Sequence, residues 1–339
     1  MTVAPVRGRS LTITDVAARA GVSTATVSKV MNARRGVAPP TARRVQQAID
    51  GMGFEPSLAA RRLRRGATRL VGVLFSELGE WAGEVLKGAS SAAAESGHGL
   101  LAFSGDGAST TLAWERRTLM RLDAMIAGAI VIAPSPTPIV VDLPVVVVTM
   151  HGPAQGLHGV RADDVAGGIL ATSHLLELGH RRIAYVGRGR TPAPSAHVAG
   201  YRAALGAAGI RIDRAVVSHP ATDARVARSV HALLGLAEPP TAFVAADDAL
   251  ALAVTGAAAA QGVAVPRELS VVGWGNSPVA AVADPAMTSV WQRPQQLGAE
   301  AFAMLLALIE SGADAPREVA LPAELVVRAS TARPRAAAG

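Results

Sequence analysis

Apolar residues in the larger part of the chain fall into short runs separated by stretches with helical spacing. The runs predict buried strands at Leu70–Phe75, Leu100–Phe103, Ala129–Ile132, Val145–Val148, Ile183–Val186, Ala242–Ala246 and Ser270–Trp274. The predicted helices lie near residues 82–96, 111–124, 164–178, 197–208, 223–235 and 249–261. Strands that alternate with helices form parallel sheets, and their number predicts two doubly wound α/β subdomains. Ligands of such sheets bind at the carboxyl ends of the strands, here in the cleft between the subdomains.

The first part of the chain follows a different pattern, which predicts three short helices. Apolar residues recur at helical spacing on one face of each; they are Ile13, Val16, Ala17 and Ala20, then Val27, Val30 and Met31, then Val45, Ala48, Ile49 and Met52. Thr12 and Asp15 form a capping box, Gly21 ends the first helix, and Ser23 caps the second. Pro39 and Pro40 begin the third helix. Three helices with a tight glycine turn between the first two predict a helix-turn-helix domain.

The outward side of the second predicted helix is polar and small enough to lie against DNA. It carries Thr24, Ala25, Ser28 and Lys29. The hydroxyls and the helix start at Ser23 can hold phosphates, while Lys29 or Ala25 can face base edges. An exposed polar face of an ordinary three-helix domain is the structural alternative.

The positive charge is concentrated in this same part of the chain. Residues 1–66 contain twelve Lys and Arg against three Asp and Glu, a net charge of +9, whereas the remaining 273 residues carry −2. A basic head on a near-neutral body predicts a polyanionic partner for the head alone.

Residues 56–66, Pro-Ser-Leu-Ala-Ala-Arg-Arg-Leu-Arg-Arg-Gly, predict a short hinge helix capped by Ser57 and ended by Gly66. A helix of two turns with one bulky apolar residue among arginines is not stable alone in water. Leu63 as an apolar wedge in a kinked minor groove, with arginines on phosphates, fits this composition. A basic interdomain linker is the alternative.

These residues resemble the lactose-repressor (LacI/GalR) family of bacterial transcription regulators. The matching segments are Thr12–Ser23, Thr26–Asn32, Gly53–Pro56 and Ala59–Leu63, followed in the body by His174–Ala184, Ala199–Tyr201, Val265–Gly273 and Pro285–Val290. The resemblance implies a periplasmic-binding-protein-like (type I) effector domain, in which the chain crosses between subdomains three times. It also implies a second helix in the major groove and a hinge leucine, here Leu63, in the minor groove.

The predicted site residues combine both lines of argument. The predicted DNA contacts are Thr12, Ser23, Thr24, Ala25, Thr26, Ser28, Lys29, Asn32, Ser57, Ala60, Arg61, Leu63 and Arg64. The predicted effector contacts are Arg188, Arg190, His197, Asp247, Trp274 and Asn276, for which ordinary solvated loop polarity is the alternative.

The effector region departs from the family pattern at three positions. His197 stands where the family has a cleft arginine, Gly275 stands where it has a sugar-gripping aspartate, and Ala221 falls near the expected aromatic platform. Planar Arg and Asp groups make the recognition of sugar hydroxyls specific. A modified sugar, a sugar acid, a nucleoside or no small effector therefore remain open beside a simple sugar.

Catalytic and transport functions find little support in the sequence. The segment Gly187–Pro192 lacks the third glycine of a dinucleotide loop, and Asp247 with Asp248 is either a helix cap or a metal pair. The chain has no cysteine, and we predict no cofactor, no metal and no membrane span. A sugar-transport receptor would need a signal peptide and no basic head.

The resulting prediction is a regulator, most simply a repressor, that binds a palindromic operator as a homodimer under the control of a sugar or sugar-like effector. The predicted location is the cytoplasm, at the nucleoid. The predicted domains are a helix-turn-helix at 1–56, a hinge at 57–68, a first subdomain at 69–161 and 291–319, a second at 162–290 and 320–332, and a flexible tail at 333–339.

Overall fold

The computed structural model divides the chain into two units, residues 1–68 and residues 69–339. It describes residues 13–31, 36–52, 68–105, 112–134, 139–149, 154, 156–187, 196–211, 213, 217–218, 223–312 and 315–335. The predicted hinge helix and Thr12 of the capping box lie outside the described residues.

The first unit contains the three predicted helices, α1 (Ile13–Ala20), α2 (Thr24–Met31) and α3 (Pro39–Met52). Their facing sides share one small core, made of Val16, Ala17, Ala20, Val27, Val45 and Ala48. Val30, Ile49 and Met52 are partly buried against it. The prediction of a three-helix domain is confirmed.

The turn between α1 and α2 depends on Gly21, whose φ of 61° lies in the left-handed region. The amide of Gly21 donates to the carbonyl of Ala18 at 3.3 Å, and that of Val22 donates to the carbonyl of Ala17 at 3.0 Å. These two bonds form a Schellman motif, which ends a helix sharply. Arg44 of α3 donates from Nε to the carbonyl of Ala20 at 3.0 Å and so connects the end of α1 to the third helix.

The first sheet of the second unit is entirely parallel. Its strands are β1 (Leu70–Phe75), β2 (Gly99–Ser104), β3 (Gly128–Ile132), β4 (Val145–Thr149), β5 (His158–Ala162) and β11 (Glu318–Leu321), in the order β11-β5-β4-β3-β1-β2. The helices of this subdomain are α4 (Glu80–Glu95), α5 (Leu112–Leu122) and α11 (Pro294–Ser311). The helix α11 and the strands β5 and β11 are absent from the sequence prediction.

The second sheet has the same architecture. Its strands are β6 (Ile183–Val186), β7 (Val217–Ser218), β8 (Ala242–Ala245), β9 (Ser270–Trp274), β10 (Thr288–Trp291) and β12 (Glu324–Val326), in the order β12-β10-β9-β8-β6-β7. Only β12 is antiparallel to its neighbour among the described pairs. The helices are α6 (Asp164–Glu177), α7 (Ala196–Ala207), α8 (Asp223–Leu234), α9 (Asp248–Ala259) and α10 (Pro278–Val282). None of the described helices combines the length and hydrophobicity that a membrane span requires.

The chain passes between the two sheets three times, after β5, after β10 and after β11. Because β5 continues to Ala162, β10 to Trp291 and β11 to Leu321, each passage lies one or two residues beyond the predicted subdomain bound. The strands continue because their backbone groups are still paired with the neighbouring strand at these positions.

One pair of helices in each subdomain packs at a distance that only glycine allows. A Cβ at Gly88 of α4 would lie 1.8 Å from the carbonyl oxygen of Gln295, and one at Gly298 of α11 would lie 1.9 Å from that of Val85. In the second subdomain, a Cβ at Gly200 of α7 would lie 2.1 Å from the carbonyl oxygen of Val165. Any side chain at these positions would push the backbones apart.

Two histidines, His174 and His180, hold the C-terminal segment against the second sheet. The ring of His180 lies 2.8 Å from the Thr241 hydroxyl and 2.8 Å from the carbonyl oxygen of Ala332. His174 Nε2 lies 2.9 Å from the hydroxyl of Thr331. Burial lowers the pKa of both imidazoles, so the folded chain favours their neutral forms. The segment is placed as far as Arg335, beyond the predicted start of the flexible tail at 333.

The glycine crossing of α4 and α11 is testable by adding one methyl group. Gly298→Ala is expected to lower the free energy of unfolding by about 1–3 kcal/mol, because the helices must separate to admit the Cβ. Gly83→Ala, in α4 where no atom lies within 4 Å of the position that a Cβ would take, is the matched control. It should raise stability by up to about 1 kcal/mol through helix propensity. Urea denaturation followed by circular dichroism measures both, and equal effects of the two changes would contradict the packing argument.

Candidate DNA-binding face and effector site

The start of α2 is a helix N-terminus, whose first amide groups have no partner within the helix, beside small polar side chains. Ser23 caps the helix, since its Oγ accepts from the amide of Thr26 at 3.2 Å and lies 2.9 Å from the Thr26 hydroxyl. Ser23, Thr24 and Ala25 are exposed. A helix start with accessible N–H groups attracts anions, and a DNA phosphate is one such group.

Further along α2 the exposed side carries the cation of Lys29, whereas Val27 on the opposite side is fully buried in the core. Thr26 and Ser28 are half-buried between these two sides. The predicted outward face therefore exists, with one cation and several hydroxyls on a rigid helix. All of the DNA contacts stay predictions, and seven of them lie outside the described residues: Thr12, Asn32, Ser57, Ala60, Arg61, Leu63 and Arg64.

In the second unit, two of the predicted effector residues meet in a buried aromatic stack. The rings of His197, on α7, and Trp274, at the end of β9, lie 3.7 Å apart between centroids with an interplanar angle of 24°. Both side chains are almost completely buried. Trp274 also packs on Gly167 of α6, where a Cβ would lie 2.7 Å from the indole ring.

Two residues that the sequence prediction missed complete this cluster. Asp164, the first residue of α6, has its Oδ2 3.7 Å from Nε2 of His197. Gln292, directly after β10, donates from Nε2 to Oδ1 of Asp164 at 2.6 Å. The signal for Asp164 was present, because an aspartate pair follows a strand at residues 163–164 as it does at 247–248. No local pattern distinguishes Gln292.

The pair Asp247 and Asp248 has structural roles. Asp247 caps α9 by accepting from the amide of Leu250 at 2.7 Å. Asp248 accepts from the Ser289 hydroxyl at 2.6 Å and from the amide of Ser277 at 2.7 Å. Burial raises the pKa of the Asp248 carboxyl, while these hydrogen bonds favour its ionised form. The helix-cap alternative is therefore the one that the geometry of Asp247 supports.

Asn276 lies in the loop that Asp248 anchors, with a left-handed φ of 52°. Its Oδ1 accepts from Nη2 of Arg328 at 2.6 Å, so its side chain is engaged with the C-terminal segment. The preceding Gly275 has a φ of 116°, which L-residues rarely adopt. An aspartate, which the family has at this position, would therefore strain the backbone of the loop.

The structure therefore brings His197 and Trp274 together, places Asp247 and Asn276 in structural hydrogen bonds, and adds Asp164 and Gln292. The strand register places Gln292 near Trp274, because Val290, two residues before Gln292, pairs with Trp274 of β9. Arg188 and Arg190 lie outside the described residues, and their place in the site stays a prediction.

Comparison with known proteins gives a family match within each of the two units. Residues 12–57 match the family described as bacterial regulatory proteins, lacI family, and residues 172–331 match the periplasmic binding protein-like domain. The HTH-type transcriptional regulator CelR of Thermobifida fusca is 33% identical over 96% of this chain and 99% of its own. The HTH-type transcriptional repressor PurR of Vibrio atlanticus is 29% identical over 94% of this chain and 98% of its own. A solved complex of CelR with cellobiose is 31% identical, with a TM-score of 0.68 over 94% of this chain and 99% of that one.

A helix-turn-helix unit followed by a periplasmic-binding-protein-like unit defines a DNA-binding transcriptional regulator. The chain belongs to the lacI family of bacterial regulatory proteins. Its relatives are regulators, and this protein is a regulator rather than an enzyme.

The conformation of Gly275 predicts that the family's aspartate cannot simply be restored. Gly275→Asp should lower the free energy of unfolding by about 1–3 kcal/mol, because a side chain at this φ strains the backbone. Gly79→Asp is the matched control, since Gly79 caps α4 with a φ of −91° and open space around it. That change should be neutral or slightly stabilising, by a few tenths of a kcal/mol. Thermal unfolding of both variants decides, and a fully stable Gly275→Asp variant would refute the strain argument.

Proposed function

We propose that the protein binds a palindromic operator as a homodimer, represses transcription, and is controlled by a sugar-like metabolite in the cleft between its two α/β subdomains. The observation that carries the proposal is the exposed polar side of α2, where Ser23, Thr24 and Ala25 lie at the start of the helix and Lys29 lies further along it. Binding to the operator would place the protein at the nucleoid.

The dimer follows from the small size of the reading surface. A single helix such as α2 contacts only a few base pairs, and helix-turn-helix proteins obtain sufficient specificity by binding two half-sites with two-fold symmetry. The repressor role is supported by the relative PurR, which is a transcriptional repressor.

The effector class is supported by the relative CelR, which has been solved with cellobiose. The cluster of His197, Trp274 and Asp164 lies at the carboxyl ends of the strands of the second sheet, where ligands of parallel sheets bind. An imidazole in place of the family's arginine, together with Gly275 in place of its aspartate, favours a modified sugar over a simple one.

Selection from a pool of randomised DNA duplexes tests the operator and the role of Lys29 together. The wild-type chain should select a palindrome, and Lys29→Ala should relax the preference at one position in each half-site by about 1–3 kcal/mol. The chain has only one other lysine, Lys87, which is exposed in α4 and paired with Glu84. Lys87→Ala removes the same charge and should leave the selected sequence unchanged.

Two outcomes of this selection would count against the proposal. A selected sequence without two-fold symmetry would contradict the dimer. An equal loss of affinity for every sequence in the Lys29→Ala variant would show that this lysine holds a phosphate and reads no base.

A thermal-shift screen with simple sugars, modified sugars, sugar acids and nucleosides tests the effector. A sugar-like ligand at a hundred times its dissociation constant should stabilise the protein by about 2.7 kcal/mol. His197→Ala should abolish the shift if the ligand binds beside the aromatic stack. A ligand whose shift survives this change binds elsewhere, and a nucleoside as the only hit would overturn the assignment to sugars.

A further inference from the structure

The three passages between the subdomains are connected to one another by a small set of hydrogen bonds. The amide of Asp163, after β5, donates to the carbonyl oxygen of Leu321 at the end of β11 at 2.8 Å. Arg293, after β10, forms an ion pair with Glu324 at the start of β12. Gln292 donates to Asp164 and so connects the second passage to the first.

The bond between Gln292 and Asp164 differs from the ion pair in its surroundings. Both of its side chains are more than nine-tenths buried, whereas Arg293 and Glu324 are 34% and 47% exposed. An exposed ion pair contributes little, because water competes for both charges. A buried hydrogen bond to a carboxylate is strong, and losing one partner leaves a buried charge without its donor.

The backbone at the same place is held in an uncommon conformation. Arg293 directly follows Gln292 and has a left-handed φ of 52° without being a glycine. A residue keeps such a conformation only where the surrounding contacts hold it. The contacts at this turn include the Gln292 bond on one side and the start of α11 at Pro294 on the other. A change in the Gln292 bond would therefore act where the chain turns from one subdomain to the other.

Asp164 connects this turn to the candidate effector site. Its Oδ1 accepts from Gln292, and its Oδ2 lies 3.7 Å from Nε2 of His197. One carboxylate is thus shared between a passage of the chain and the ring that stacks on Trp274.

We infer that Asp164 and Gln292 form a hinge clasp, a buried pair that holds the angle between the two α/β subdomains and lies next to the effector-sensing ring of His197. Asp164 and Gln292 are positioning residues in this inference. The clasp is a property of the second unit, and only its use in regulation rests on the proposed function.

The clasp can be tested by measuring the angle directly in the full-length protein. The chain has no cysteine, so Met120→Cys on α5 and Ala203→Cys on α7, both at exposed positions, provide one spin-label site in each subdomain. With the labelled chain diluted in an excess of the cysteine-free wild type, so that distances between subunits do not contribute, double electron–electron resonance should give a single narrow distance distribution. Gln292→Glu keeps the shape of the side chain and, at a pH high enough to ionise both carboxyl groups, places a second negative charge against Asp164. The narrow distribution should be lost, and a second distance should appear.

The pair can then be rebuilt with its polarity reversed. Asp164→Asn combined with Gln292→Glu restores a donor opposite an acceptor, and the single narrow distribution should return. A role in packing alone predicts no such rescue, because Gln292→Glu by itself already conserves the volume. Thermal unfolding of each variant shows that the compared proteins are folded, and the double variant remains informative where Gln292→Glu folds poorly.

Two controls isolate the bond. Gln295→Ala removes the hydrogen bond from Gln295 to Glu84, which lies within the first subdomain at 2.7 Å, and should leave the distribution unchanged. Glu324→Gln removes the exposed ion pair with Arg293 and should also preserve the narrow distribution.

A wild-type distribution that is already broad, an unaltered distribution in Gln292→Glu, or a double variant that stays broad would each overturn the clasp. The selection of operator DNA is measured separately and needs no distance label. A protein that selects no palindrome would refute the proposed function and leave the clasp standing, so the two failures are distinguishable.

Discussion

The close approach of two helices at glycine is the constraint on which the second subdomain and its site depend. A Cβ at Gly168 of α6 would lie 2.5 Å from the carbonyl oxygen of His197, so α7 reaches its position only because Gly168 has no side chain. That approach brings His197 beside Asp164 and onto Trp274. The first subdomain repeats the device with Gly88 and Gly298. Small residues at a helix crossing allow the two backbones to come into contact. Rigid, closely packed elements of this kind position a site better than loops do.

Most polar groups around the site are engaged with the protein itself. Asp247 caps a helix, Asp248 anchors the loop after β9, and Asn276 accepts from Arg328. The left-handed backbone of Gly275 would be strained by the carboxylate side chain that the family pattern has there. The cluster itself combines the stacked rings of His197 and Trp274 with the carboxylate of Asp164.

The strands that form the centre of each sheet were predictable because they are buried on both faces. Leu70–Phe75, Ile183–Val186 and Ser270–Trp274 are continuous apolar runs and coincide with β1, β6 and β9. The strand β5 was missed because it begins with histidine and contains glycine and arginine. The outer strands β11 and β12 alternate weakly and contain glutamate, since one side of an edge strand is exposed. The helix α11 had local signals, with Pro294 at its start and Gly312 after its end.

The sequence by itself determined the helix-turn-helix unit, because its signals are local. Gly21, Ser23 and the apolar spacing of α1, α2 and α3 act within a few residues of one another, and the Schellman turn and the serine cap follow from them. Through the resemblance to a family, the sequence also predicted His197 and Trp274 as effector contacts, and the structure places their rings together. Only the tertiary structure decided that Asp164 and Gln292 meet beside them. These residues lie 128 positions apart in the chain, and no periodicity relates them. Their contact arises where two passages between sheets come together, and that geometry is set by the packing of whole subdomains.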